Sequence, residues 1–217
     1  MNAGRLSKLH CKLMLDDRIV SFVCQVELEN GRTGEPIKAN LVTLEDKHIA
    51  DFEEIWEPVL RQYGEEDKGF GWRLKQRLIN QRPQHEGYAI ECNGLTQGLM
   101  VIDIRGRYSQ FTRGERVVLV ELLAAAPWNR ATIQRPRDYK LVGRSLLLFS
   151  RRRSREVGYS GRVGVFALPG AISFYEQMGM TRLELEPEDI IDASEAIPYL
   201  EYVVFQSQRE VEDGDLS

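Results

Sequence analysis

The run Val117-Val118-Leu119-Val120-Glu121-Leu122-Leu123-Ala124-Ala125-Ala126, closed by Pro127, decides the fold. It is apolar at every position but Glu121. That is too continuous for a strand with one wet face, so it reads as a central strand covered on both sides. A loop carrying Arg130, Arg135, Pro136 and Arg137 follows and ends at Tyr139. Leu141, Val142, Leu146, Leu148 and Phe149 then supply the buried stripe of a helix expected from Leu141 to about Val157, with Gly158 as its stop. Arg162 to Leu168 reads as the next strand, and Ala171 to Met178 as a short helix stopped by Gly179. A strand that leads through a basic loop into a helix is suited to holding a phosphate. The first N–H groups of a helix lack internal partners, and the helix dipole favours an anion there.

Upstream, Ile19 to Leu28 and Ile37 to Leu44 are strand-like and flank the turn Glu29-Asn30-Gly31-Arg32-Thr33-Gly34, which predicts a hairpin. Ile49, Phe52, Trp56, Val59 and Leu60 recur at helical spacing, so a helix is expected from Glu45 to Tyr63, with Thr43 as its cap and Pro58 disturbing its last turns. A second helix is expected from Phe70 to Ile79, ended by Pro83. Gly87 to Cys92 and Leu99 to Ile104 form a second hairpin about Asn93-Gly94. Thr181 to Leu185 and Tyr199 to Gln206 are the last strands, joined by an acidic segment with a helical turn near Pro187 to Ala193. Residues 1–18 read as an extension and residues 208–217 as an acidic tail. The whole, 1–217, is expected to be one domain of the mixed α/β (α+β) class, with a largely antiparallel sheet flanked by helices.

Composition narrows the function. Of 217 residues, 42% are hydrophobic and 29% charged, an ordinary globular balance. A formal net charge of −4 argues against a general nucleic-acid binder. No apolar run reaches membrane-spanning length, and no apolar stretch follows the basic N-terminal residues, so neither a membrane span nor a signal peptide is expected. Cys11, Cys24 and Cys92 are scattered and odd in number, which argues against a disulfide framework and for a cytoplasmic setting. His10, His48 and His85 have no ligand spacing, so no metal is expected. The arginines at 151–153 near the helix end read as solvated, favoured there by the dipole.

Two segments carry a resemblance. Lys140-Leu141-Val142-Gly143-Arg144-Ser145 resembles the pyrophosphate loop of the GNAT (GCN5-related N-acetyltransferase) superfamily, Arg/Gln-x-x-Gly-x-Gly/Ala. Ala171-Ile172-Ser173-Phe174-Tyr175-Glu176-Gln177-Met178-Gly179-Met180 resembles its Ala-x-x-x-Tyr-x-x-x-Gly-Phe segment. The chain departs from the pattern at Lys140, at Ser145, and at Leu168, where the family often has Asn. The Ala126–Arg130 run is similar to that of a subset of uncharacterised bacterial members.

The resemblance implies direct attack of a primary amine on acetyl-CoA in a ternary complex, without a covalent acyl-enzyme or a metal. Ala124, Ala125 and Ala126 are small enough to let the backbone approach the thioester, Leu123, Ala124 and Ala125 would bind the cosubstrate, and a backbone N–H there would stabilise the oxyanion. Lys140, Leu141, Val142, Gly143, Arg144 and Ser145 would hold the pyrophosphate. Glu121, sharing a face with Leu119 and Leu123 by alternation, is the first candidate for the base, and Asp103 the second, read as a solvent-facing edge residue. Tyr175 is the candidate acid, because a phenol of pKa near ~10 can donate to a thiolate whose acid lies near ~8.5. The alternative is a non-catalytic acyl-CoA-binding or regulatory module. The acceptor stays open among small amines, antibiotics and protein amines, and there is room for a homodimer.

Overall fold

The computed structural model describes residues 11–16, 19–184 and 197–204. Among the described residues ten strands form a large, mostly antiparallel sheet in the order β1 (Cys11–Asp16), β2 (Ile19–Asn30), β3 (Pro36–Thr43), β4 (His85–Cys92), β5 (Leu95–Tyr108), β6 (Arg116–Ala125), β8 (Val163–Phe166), β10 (Tyr199–Glu201) and β9 (Thr181–Arg182), with β7 (Tyr139–Lys140) paired to β2. Helices flank it, which is the expected mixed class. The described residues cluster into two compact units: those up to 81 with 87–100 and 123–146, and those of 82–86 with 101–122 and from 147 to 204.

The first unit begins with β1 (Cys11–Asp16), β2 (Ile19–Asn30) and β3 (Pro36–Thr43), each antiparallel to the next. The 1–18 stretch expected to be an extension therefore contributes a strand. Asn30 closes the β2–β3 turn as its side-chain Oδ1 accepts the N–H groups of Arg32 and Thr33. Gly31 is required here: a Cβ on it would lie 1.7 Å from the Arg137 carbonyl oxygen, and its N–H donates to Asp138 O at 2.9 Å. The loop 127–139 is thus tied to the hairpin.

The helix expected over 45–63 divides into α1 (Asp46–Asp51), a π-helical turn (Phe52–Trp56) and α2 (Glu57–Gln62). Pro58, with no N–H to give, is accommodated in the first turn of α2. The cap is Glu45, not Thr43. Its N–H donates to His48 Nδ1 at 2.8 Å, and His48 Nε2 lies 2.9 Å from Glu91 Oε1. Phe52, Trp56 and Trp72, the last on α3 (Trp72–Gln81), form a buried aromatic cluster that Trp128 joins edge-on at 6.2 Å from Trp56. Strand β4 (His85–Cys92) and β5 (Leu95–Tyr108) meet at Asn93-Gly94, both with positive φ, as a two-residue hairpin turn demands. Cys24 is disulfide-bonded and Cys92 is a buried free thiol, so three scattered cysteines do not mean three thiols.

In the second unit, β6 (Arg116–Ala125) runs parallel to β8 (Val163–Phe166), Val118 opposite Val163. A parallel pair needs a crossover, and α4 (Val142–Glu156) supplies it. Strand β10 (Tyr199–Glu201) lies antiparallel to β8 and to β9 (Thr181–Arg182). Gly164 is needed because a Cβ there would come within 2.3 Å of the Tyr199 hydroxyl. Glu201, fully buried, accepts from Ser109 Oγ at 2.7 Å and from the Tyr199 hydroxyl at 2.8 Å. Burial, followed by the Glu201 charge and hydrogen bond, pushes the Tyr199 phenol above its ordinary range. The arginines near the end of α4 are not simply solvated. Arg153 pairs with Glu86 at 2.7 Å, Arg152 with Glu156 at 2.8 Å, and Arg151 lies over the Tyr202 ring at 4.9 Å. The helical turn expected near 187–193, the end of the last strand and the acidic tail lie outside the described residues.

Candidate functional site

In the first unit the end of β6 meets the start of α4 through Gly98 on β5. A Cβ on Gly98 would lie 2.5 Å from Val142 Cγ1, 3.1 Å from Leu146 Cδ1 and 3.5 Å from the Ala124 carbonyl oxygen. The absence of a side chain is what lets the helix seat there. Leu123 and Ala125 are half-buried and Ala124 buried. The Ala126 N–H donates to Gln97 O at 2.9 Å, and the Ala125 carbonyl accepts from Arg130 Nε at 2.9 Å.

The segment Lys140–Ser145 is less loop-like than expected. Tyr139 and Lys140 form the short strand β7, antiparallel to β2, and the helix begins at Val142. Leu141 makes the corner with φ of 70° and an exposed side chain. A leucine in the left-handed region costs free energy, and residues held this way gather at ligand-binding corners. Ser145 is the first to close the helix ladder, its N–H donating to Leu141 O at 2.8 Å. The N–H groups of Val142, Gly143 and Arg144 precede it and have no carbonyl four residues back within the helix. Arg144 is exposed. Lys140 Nζ is 2.6 Å from Glu29 Oε1.

The basic loop spends its charge internally. Arg130 lies 2.6 Å from Asp67 Oδ2 and 2.9 Å from Glu65 Oε2. Burial pulls the Arg130 guanidinium downward, but the hydrogen bonds and charges of Asp67 and Glu65 outweigh it and hold the group above its ordinary range. Trp128 Nε1 and Asn129 Nδ2 both donate to Gln97 Oε1, at 2.8 and 2.9 Å, and Asn129 Oδ1 accepts the Tyr139 N–H at 2.9 Å. The loop is therefore a strut that fixes β7 ahead of α4. Its length follows from that task, and Arg130, whose role the sequence left open, is an internal tie.

In the second unit Glu121 has two companions that the sequence did not group with it. His85 at the start of β4, Asp103 on β5 and Glu121 on β6 place one ligand atom each within 4.8 Å of the others. His85 Nε2 is 3.4 Å from Glu121 Oε1. Asp103 is not the solvent-facing residue expected: it is 6% exposed, and its Oδ1 accepts the N–H groups of Arg105 at 2.9 Å and Gly106 at 2.8 Å. Its Oδ2 would lie 2.2 Å from a Cβ on Gly106. His85 is also buried. No sequence spacing signals this cluster, because each member comes from a different strand.

Tyr175 is buried on α5 (Ile172–Gln177), edge-on to Phe174 at 5.1 Å. Its spacing to Gly179 has a backbone cause. The Met180 N–H donates to Tyr175 O at 3.1 Å and the Gly179 N–H to Glu176 O at 2.9 Å, with Gly179 at φ 86°. This is the crossed pair of bonds that ends a helix on a left-handed glycine.

No family model and no curated protein matches the sequence. Solved structures do match in fold. The GNAT domain of S. lividans PAT superposes with a TM-score of 0.53 at 14% identity, over 84% of this chain and 97% of that one. The PaiA N-acetyltransferase from Thermoplasma acidophilum, solved in complex with coenzyme A, gives 0.51 at 11% identity, over 77% and 100%. The chain has the GNAT fold.

Proposed function

We propose that the protein is an acetyl-CoA-dependent N-acetyltransferase acting on a primary amine. The observation that carries the reading is the start of α4. A strained corner at Leu141, a helix seated on a side-chain-free Gly98 and three unladdered N–H groups make a built anion cradle on the GNAT fold. The chain fits a pyrophosphate-bearing cosubstrate there without further side chains. The thioester supplies the activated acetyl group.

The reading gives each residue a part. Val142, Gly143 and Arg144 hold the phosphates by backbone N–H, with Ser145 beside them at the first closed turn and Lys140 and the exposed Arg144 adding charge. Leu123, Ala124 and Ala125 form the end of the strand that receives the acyl arm, the two alanines being small enough to admit it. Glu121 takes the proton that the attacking ammonium must lose, and Tyr175 donates one to the departing sulfur. The ammonium loses two protons in becoming the amide: one goes to Glu121 and on to solvent, and the other restores Tyr175 after it has protonated the departing thiolate, so one proton is released per turnover. Attack is direct, and no covalent acyl-enzyme forms.

The test is isothermal titration of acetyl-CoA into the purified chain, followed by a screen of polyamines, aminoglycosides, amino acids and peptide amines with thiol release as the readout. Binding with turnover on one class supports the reading. Absence of binding overturns it.

A further inference from the structure

We propose that His85, Asp103 and Glu121 bind a divalent cation of the zinc class. The inference stands apart from the acetyl-transfer reading. It uses the same Glu121 oxygen for a different purpose.

The three donor groups are near enough to converge on one ion with small side-chain rotations, since two ligands at about 2.1 Å from an ion lie at most about 4.2 Å apart. All three ligand atoms lie within 4.8 Å of one another. The His85 Nε2 to Glu121 Oε1 separation of 3.4 Å is long for a charge-assisted hydrogen bond, which runs at roughly 2.7–2.9 Å. Two ligands that far apart, each about 2.1 Å from one ion, subtend about 108° there, close to tetrahedral. One imidazole and two carboxylates suit zinc or manganese better than magnesium or calcium.

Two further observations point to a ligand. His85 is 8% exposed, and its Nδ1 is buried with no hydrogen-bond partner. Nδ1 is then a buried N–H or lone pair on the far side of the ring, and Nε2, the nitrogen facing Glu121, is the one that would take the ion. Asp103, equally buried, forms no ion pair among the described residues. Its Oδ1 is pinned by two backbone N–H groups. Such outer hydrogen bonds are what orient a metal-ligating carboxylate. Two carboxylates held this close to each other in a buried place repel, and a doubly charged ion offsets that repulsion. Three protein ligands leave a fourth position for water or a substrate atom. An ion there and a proton compete for the same Glu121 oxygen, so a bound cation holds acetyl transfer off and its release frees Glu121 as the base.

The experiment is titration of Zn²⁺ alone into the chelator-stripped full chain, without cosubstrate. One equivalent is expected to bind in the wild type and in Cys92→Ser. His85→Gln and Asp103→Asn should each weaken it by roughly tenfold or more. Because those variants disturb a buried cluster, Co²⁺ loading of the wild type gives a second readout: tetrahedral visible bands with no thiolate charge-transfer band. No stoichiometric binding overturns the proposal. So does affinity unchanged in both variants, or a thiolate band. A chain that binds the ion but no acetyl-CoA would leave this site standing and remove the enzyme reading instead.

Discussion

Lys140 on β7 and Glu29 on β2 are register partners and an ion pair, Nζ to Oε1 at 2.6 Å. The lysine at the entry to the anion cradle is thus already partly neutralised. Both side chains are about a third exposed, so the pair itself contributes at most about 1 kcal/mol. Glu29→Gln should therefore raise acetyl-CoA affinity roughly two- to fivefold while changing the unfolding free energy by less than about 1 kcal/mol. Calorimetry and urea unfolding check the two halves separately.

Gly143 is the second residue of α4. A glutamate there should stabilise the free protein, by about 0.3–1 kcal/mol from the dipole and roughly 0.5 kcal/mol or more from helix propensity. The same carboxylate would face the incoming phosphates. Gly143→Glu should raise Tm and weaken acetyl-CoA binding by at least roughly tenfold. A variant that raises Tm and leaves binding intact would show that the helix start does not hold the cosubstrate.

Tyr175 and Gly179 have separable roles. Gly179→Ala forces a side chain into the left-handed region and should cost roughly 1–2 kcal/mol of stability. Tyr175→Phe keeps the ring against Phe174 and leaves the terminating backbone bonds untouched. It should leave Tm near the wild type but lower kcat with a confirmed acceptor roughly a hundredfold or more. Unchanged turnover would remove Tyr175 as the acid.

Glu91 gives a pH signature. Burial raises its carboxyl, but hydrogen bonds from Lys47 and His48 and their charges win, and the net shift is downward. A carboxylate whose folded pKa is depressed contributes stability that is present above its unfolded value, about 4.3, and lost as pH falls through the folded one. Wild-type stability should therefore fall with acid from about pH 4.3 downward, more steeply than in Glu91→Gln. Denaturant unfolding measured across that range checks the difference in slope.

Much of the fold was legible because its signals are local. The run Val117–Ala126, apolar but for Glu121 and closed by Pro127, the Asn93-Gly94 hairpin and the stripe of α4 each declare themselves in one stretch of chain. What was not legible depends on distance along the chain. Arg130 looks available until Asp67 and Glu65, more than sixty positions away, claim it. Asp103 looks exposed until its strand is buried on both sides. His85, two residues before the strand expected from Gly87, carries no ligand pattern of its own. The Tyr175 to Gly179 spacing was legible as a motif, but the helix stop behind it appears only in the hydrogen bonds. The corner at Leu141 had no signal at all, since leucine is the last residue one would place at positive φ.

The central claim is that the start of α4 holds a pyrophosphate-bearing cosubstrate. Titration of acetyl-CoA into wild type and Gly143→Glu, side by side in one calorimetric experiment, tests it most directly. The account predicts saturable binding to one site in the wild type and at least roughly tenfold weaker binding in the variant. No binding to the wild type, or equal binding to both, would contradict it.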